Sequence, residues 1–103
     1  MKTKEFNDLL GNVPFREVSS GTKKGIELYC GNYIVVLDID CDIDIKHFMK
    51  QTYTNPEEYS IVVTKEILDL KVYSDDYGVE YFLNGMQEHR LVQEIKENLS
   101  VVY

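Results

Sequence analysis

The chain of 103 residues contains no tryptophan, two prolines and two cysteines, Cys30 and Cys41. Two cysteines are too few for the disulfide framework that holds many small secreted domains together. We therefore expect reduced thiols and a cytoplasmic protein. The sequence also lacks a linker rich in proline or glycine, so residues 1–103 are predicted to form a single domain.

Positive charge is also scarce, with 11 Lys and Arg against 18 Asp and Glu, for a formal net charge of −7. A field of this sign repels nucleic acid and anionic membranes and attracts basic protein surfaces. No apolar run approaches the roughly 20 residues that a membrane-spanning helix needs. We therefore expect no direct nucleic-acid binding, no membrane contact and a basic protein partner.

The most apolar run leads directly into the densest acidic cluster, in residues 33–48 with the sequence YIVVLDIDCDIDIKHF. Both alternating sets of positions are apolar up to Leu37, which predicts a central strand covered on two faces. Apolar residues then recur at helical spacing from Ile45, so Asp42 is predicted to cap a helix that ends near Tyr53. This arrangement would bring four aspartates to a strand end and a helix start: Asp38, Asp40, Asp42 and Asp44.

Two hairpins are predicted from their turn residues and from the apolar residues that each turn would align. Gly31-Asn32 is typical of a two-residue turn, and residues 75–78 read as a second, longer turn. The predicted cross-strand pairs are Ile26 with Leu37, Leu28 with Val35, Leu70 with Leu83 and Val72 with Tyr81.

The other segments complete the predicted order of elements. Asn84 and Gln87 have the spacing of a capping box at the start of a helix. The remaining predictions are a helix over 3–10, an edge strand over 14–20, one bent strand or two strands over 59–74, and a tail over 100–103 that adds to a sheet or simply ends. These elements predict an α+β fold, a twisted, mainly antiparallel sheet of about five strands with helices mainly on one face, in the order α-βββ-α-ββ(β)-α.

Three short patterns resemble catalytic or metal-binding motifs. The run VVLDIDCD resembles the first motif of the haloacid-dehalogenase phosphohydrolases, which implies Asp38 as nucleophile and Asp40 as acid/base. Asp69-Leu70-Lys71 resembles the end of the PD-(D/E)xK nuclease signature. The aspartates also resemble an EF-hand calcium-binding loop. Whether the loop is counted from Asp38 or from Asp40, the positions that require glycine and glutamate hold other residues. We predict no catalytic residues, no metal and no cofactor, and hence no enzyme.

Eight tyrosines, several of them beside acids, favour a binding surface. Tyrosine supplies contact area and a hydrogen bond at low entropy cost, which is why interfaces are rich in it. The turn SDDYG with the following Glu80 is predicted to be an exposed acidic and aromatic hairpin tip. The predicted partner-binding residues are therefore Asp38, Asp40, Asp42, Asp44, Asp75, Asp76, Tyr77 and Glu80.

In size, acidity and mixed elements, the chain resembles small phage-encoded inhibitors of bacterial defence, including anti-CRISPR and anti-restriction proteins that mimic DNA. The resemblance is compositional and transfers no residues. It implies a non-enzymatic inhibitor that binds a basic protein, for example a nuclease or a CRISPR effector. Two alternatives remain open, an immunity or antitoxin protein that neutralises a nuclease toxin, and a small metal-dependent enzyme that uses the cluster from Asp38 to Asp44.

Overall fold

A computed structural model describes residues 1–48 and 58–102. The elements are α1 (Thr3–Gly11), β1 (Arg16–Ser19), β2 (Gly21–Cys30), β3 (Tyr33–Phe48), β4 (Glu58–Ser74), β5 (Glu80–Tyr81), α2 (Gly85–Asn98) and β6 (Leu99–Val102). An antiparallel sheet has the strand order β2-β3-β4-β5, and β1 pairs with β6 in a separate parallel pair. The predicted α+β class is confirmed.

The predicted helix from Asp42 is wrong over its described part, because β3 continues as a strand to Phe48. Every residue of β3 from Tyr33 to Phe48 is opposite a residue of β4. Acidic and apolar residues alternate strictly from Asp38 to Ile45, and this pattern of period two suits a strand. Cross-strand pairing therefore outweighs the helix-capping preference of Asp42. Residues 49–53 of the predicted helix, and the predicted break after them, lie outside the described residues.

The segment for which the sequence allowed one strand or two is a single strand, β4. Its register against β3 shifts once, because Asp69 is opposite Asp38 whereas Ile67 is opposite Ile39. Leu68 is the extra residue of this bulge, and it is 53% exposed. A bulge bends and twists the strand that contains it while pairing continues on both sides.

Three of the four predicted cross-strand pairs are confirmed, and the fourth is wrong. The first hairpin pairs Ile26 with Leu37 and Leu28 with Val35, and the second pairs Val72 with Tyr81. Leu70 is not paired with Leu83, because β5 ends at Tyr81 and the chain leaves the sheet toward α2.

The core lies between one face of the antiparallel sheet and the two helices. Val35, Leu37 and Ile39 point to the same face of β3 and are fully or almost fully buried. They belong to one cluster with residues from both helices, namely Phe6, Leu9, Leu91 and Ile95. Cys30 and Cys41 are buried free thiols in this cluster, and burial raises the pKa of Cys30 to about 11. The Cys30 thiol therefore stays protonated at neutral pH.

The predicted capping box begins α2. Asn84 Oδ1 accepts from the backbone N–H of Gln87 at 2.8 Å, and Gln87 Oε1 accepts from the N–H of Asn84 at 3.2 Å. The Gln87 side chain is buried, and its Nε2 donates to the carbonyl of Met1 at 2.8 Å. One amide therefore begins α2 and also holds the first residue against it. Neither described helix is long and apolar enough to cross a bilayer.

Replacing Gln87 by alanine is expected to lower the free energy of unfolding by about 1–2 kcal/mol, because the capping bond and the bond to Met1 are both lost. Urea denaturation followed by circular dichroism measures the change. Gln87→Glu keeps the acceptor for the Asn84 N–H and loses only the donor to Met1, so it should fall between alanine and the wild type. Equal losses in the two variants would contradict a role for the capping bond.

Beyond the first residue of β2, strands β3 and β4 continue alone as a two-stranded ribbon. The first residue of β2, Gly21, is opposite Cys41, so β3 from Asp42 to Phe48 is paired only with β4. We call this segment, with Glu58–Thr64 of β4, the ribbon arm. It accounts for the elongated shape, since the long axis is 61 Å and the radius of gyration is 17.5 Å, against about 13 Å for a compact domain of 100 residues. Lys65 Nζ fixes the base of the arm by donating to the carbonyl of Lys96 in α2, at 2.7 Å.

Candidate functional site

The four aspartates of β3 form one row on the sheet face that points away from the helices. Core residues occupy the odd positions of β3, so the even positions point to the opposite, outer face. Alternate residues of a strand are about 7 Å apart, and the row from first to last spans about 20 Å. It begins beside β2 and runs onto the ribbon arm: Asp38, Asp40, Asp42 and Asp44.

Two further acids from β4 adjoin this row. Asp69 is directly opposite Asp38, and Glu66 is directly opposite Asp40. Like charges at such positions destabilise a sheet, and two unit charges about 5–7 Å apart repel by roughly 0.6–0.8 kcal/mol even in water. We call these six side chains the acidic face: Asp38, Asp40, Asp42, Asp44, Glu66 and Asp69. Binding of a cationic surface would relieve this repulsion.

Neutral donors hold the inner end of the row in place. Asp38 Oδ1 accepts from the backbone N–H of Gly25 at 2.9 Å, and Asp40 Oδ1 accepts from the Thr22 hydroxyl at 3.2 Å. Gly25 has a φ of +67° and lies where the register of β2 shifts against β3, so this N–H is free to reach the carboxylate. Asp42 and Asp44 are exposed. The row therefore has an ordered base and a solvent-facing outer half.

Three tyrosines cover the other end of the outer face. Ile34 is opposite Tyr29 of β2 and Tyr73 of β4, and it is only 3% exposed although it lies outside the core cluster. Its burial is therefore due to neighbours on the outer face. The Tyr77 ring lies 5.6 Å from that of Tyr73, centroid to centroid, and Tyr77 has a φ of 60°. We call Tyr29, Tyr73 and Tyr77 the tyrosine cluster.

Glu27 links two members of the tyrosine cluster. Hydrogen bonds from the Tyr77 and Tyr29 hydroxyls hold the pKa of Glu27 below its usual value. The same bond to Glu27 raises the pKa of Tyr77 to about 12, and a bond of 2.8 Å from Tyr29 to Glu27 raises the pKa of Tyr29. The carboxylate and the two phenols therefore stabilise one another in the ionised and neutral forms respectively.

Glu27→Gln is expected to return the pKa of Tyr77 from about 12 toward 10, because the carboxylate that accepts the hydrogen bond of its hydroxyl is gone. The raised pKa means that the contribution of Tyr77 to stability is present below pH 10 and is lost as pH rises from 10 to 12. The lowered pKa of Glu27 means that its contribution is lost as pH falls below about 4.5. Absorbance of tyrosinate against pH, with NMR assignment of the rings, measures this. Glu80→Gln is the matched control, and an equal shift there would contradict the assignment.

The predicted hairpin tip divides into structural and exposed residues. Asp76 Oδ1 accepts from the Ser74 hydroxyl at 2.6 Å and from the N–H of Gly78 at 2.9 Å, and these bonds hold its pKa below the usual value. Asp76 therefore shapes the turn. Asp75 is exposed, and Tyr77, a member of the tyrosine cluster, is 47% exposed. Glu80 lies in β5, opposite Tyr73 of β4. The tip thus adjoins the same outer face as the aspartate row, at its opposite end.

The residues of the catalytic resemblances lie in two paired strands of the antiparallel sheet. In the described part of the chain, no three His, Cys, Asp or Glu side chains converge on a point where a metal ion would sit. Asp38 and Asp40 lie in the middle of a strand of an antiparallel sheet, whereas the haloacid-dehalogenase motif ends a strand of a parallel one. Asp69, the acid of the nuclease-like pattern, is opposite another carboxylate, Asp38.

Sequence reasoning missed five residues of the outer face: Glu27, Tyr29, Glu66, Asp69 and Tyr73. The predicted first hairpin already placed Tyr29 opposite Ile34, which was a usable signal. The pairing of β3 with β4 had no short turn to indicate it, so the β4 residues could not be found. Comparison with protein-family models, curated proteins and solved structures found no match. The functional argument therefore depends on geometry and charge.

Proposed function

We propose that the protein is a non-enzymatic inhibitor that binds a basic protein through its outer face, and that this partner is a nucleic-acid-binding protein such as a nuclease or a CRISPR effector. The observation that carries the proposal is that the acidic face and the tyrosine cluster lie on one side of a single sheet, with one row, Glu27, Val36 and Lys71, between them. Carboxylates steer a cationic partner and speed association, and tyrosines supply the contact area that slows release.

The charge spacing favours a partner site built for a nucleic-acid strand. Six carboxylates along about 20 Å give roughly one negative charge per 3.4 Å, which is the axial charge spacing of one strand of B-form DNA. The ribbon arm extends the row beyond the body of the protein. We expect the protein to act in the cytoplasm, where such partners work on nucleic acid.

The test is competition for a captured partner. The protein is immobilised, and a bacterial lysate is applied at low salt. Bound proteins are then eluted in separate samples with a single-stranded oligonucleotide, with neutral dextran or with high salt. A partner released by the oligonucleotide and by high salt, but not by dextran, is the expected result. Release by salt alone would contradict the proposal that the outer face occupies a nucleic-acid site.

A matched pair of charge variants separates this surface from net charge. Asp42→Asn, Asp44→Asn and Glu66→Gln together remove three charges from the acidic face, whereas Glu17→Gln, Glu94→Gln and Glu97→Gln remove three from β1 and α2. Only the first variant should lose the partner. Equal loss in both would show that acidity in general, and not this surface, causes retention.

A further inference from the structure

A pocket between β1 and the first half of β2 gathers positive charge in a chain whose net charge is negative. Its volume is about 380 Å³, and its lining residues come from β1 and from residues 22–26 of β2. Three of them are cations, Arg16, Lys23 and Lys24, against one carboxylate, Glu17. The pocket therefore carries a formal charge of +2, whereas the whole chain carries −7.

The pairing of β2 with β3 separates these cations from the acidic face. Lys23 is opposite Ile39, a core residue of β3, so the Lys23 side chain points to the inner face of the sheet. Lys24 and Gly25 follow at the register shift of β2, and Lys24 is exposed there. The carboxylates of the acidic face point to the outer face. The sheet itself therefore lies between Lys23 and those carboxylates.

Arg16 is held at the pocket by a hydrogen bond across the two strands. Its Nη1 donates to the carbonyl of Glu27 in β2 at 2.8 Å, which orients the guanidinium. This bond uses one of the N–H donors of the guanidinium, and the others can form the paired bonds that arginine makes with phosphate. Ser19 adds a hydroxyl, and Val18 and Ile26, buried and half-buried, form an apolar floor. The pocket thus combines oriented cationic donors with a small apolar surface.

We propose that this pocket binds the phosphate group of a small phosphate ester. Arginine and lysine bind phosphate through charge-assisted hydrogen bonds, and a site of charge +2 neutralises one phosphate dianion. The volume lies within the range of about 300–1,000 Å³ that is typical of small-molecule sites, so the organic group of the ester fits over the apolar floor. A nucleic-acid strand does not fit this role, because the total charge of −7 repels a polyanion. The site does not depend on the function proposed for the outer face.

Titration of the intact protein with phenyl phosphate tests the proposal, with calorimetry to measure the affinity and NMR to locate the site. Phenyl sulfate has the same ring and a single negative charge. We expect it to bind at least about fivefold more weakly, because its attraction to the three cations is roughly halved. Inorganic phosphate should bind at least about threefold more weakly than phenyl phosphate, since it leaves the apolar floor uncovered. In NMR spectra, phenyl phosphate should shift the amides of residues 16–19 and 22–26.

Three protein variants complete the test. Lys23→Gln with Lys24→Gln should weaken binding of phenyl phosphate at least about tenfold, because two donors to the phosphate are lost. Lys2→Gln with Lys4→Gln removes the same charge at the start of α1 and should leave binding within about twofold. Glu17→Gln should strengthen binding about twofold, a gain that misfolding cannot produce, because the one carboxylate of the pocket is removed. Equal binding of the two esters, equal losses in the two lysine variants, amide shifts confined to other segments, or no binding at millimolar phenyl phosphate would each overturn the proposal.

Discussion

Replacing Leu37 by alanine is expected to lower the free energy of unfolding by about 3–4 kcal/mol. Leu37 is 1% exposed at the middle of β3, with Ile26 opposite it on one side and Leu70 on the other. Truncation there leaves a cavity that strands paired on both sides cannot close. Domains of this size have about 5–15 kcal/mol in total, so the variant should melt well below the wild type. Urea denaturation with a fitted midpoint measures the loss.

Leu68→Ala is the matched control for this prediction. It makes the same chemical change in the neighbouring strand, but Leu68 lies in a bulge and is 53% exposed. We expect a loss of less than about 1 kcal/mol, because little apolar area is removed from the interior. Similar losses in the two variants would mean that the sheet is not packed as described.

Replacing Asp42 and Asp44 by lysine is expected to lower the affinity for the partner protein, captured from the lysate and released by the oligonucleotide, at least about 100-fold at low salt. Both side chains are exposed on the ribbon arm, and the change replaces two attractions by two repulsions within one row. Most of the loss of affinity should appear as a slower association rate, because fewer carboxylates attract the partner from a distance. The association rate should also depend less steeply on salt concentration. Surface plasmon resonance across a salt series measures both.

The control for charge reversal is Glu94→Lys with Glu97→Lys, which changes net charge equally on α2. This variant should keep at least about a third of the affinity, since long-range attraction falls off within a Debye length of about 10 Å at 0.1 M salt. The thermal midpoint of Asp42→Lys with Asp44→Lys should equal or exceed that of the wild type, because repulsion along the row is relieved. Unfolding of that variant, or equal binding losses in the two, would refute the surface assignment.

The hairpin tip illustrates a limit of reading function from exposed acids. The sequence grouped Asp75, Asp76, Tyr77 and Glu80 as one binding site. In the structure Asp76 accepts two hydrogen bonds that close the turn, and Tyr77 packs beside Tyr73. A substitution at Asp76 therefore tests the turn as well as binding, whereas Asp75 is an exposed position whose substitution tests binding alone.

Local chemistry explains which elements were predictable. The turn at Gly31-Asn32 fixed the register of the first hairpin, and the spacing of Asn84 and Gln87 fixed the start of α2. Each of these depends on residues close in sequence. The region after Asp42 offered two local patterns, a helix cap with helical spacing and a strand alternation. The helical and the strand pattern differ little in local propensity, so the prediction of a helix from the sequence alone was wrong.

The sequence by itself determined the α+β class, the first hairpin, one cross-strand pair of the second, and the acidic balance. Tertiary structure decided that β3 extends through the aspartates, because β4 supplies a partner for each residue up to Phe48. That pairing joins residues up to 41 positions apart, Tyr33 and Ser74, without a short turn to set the register. It also assembled the acidic face and the tyrosine cluster. A face of a sheet is a property of neighbouring strands, and no single segment contains it.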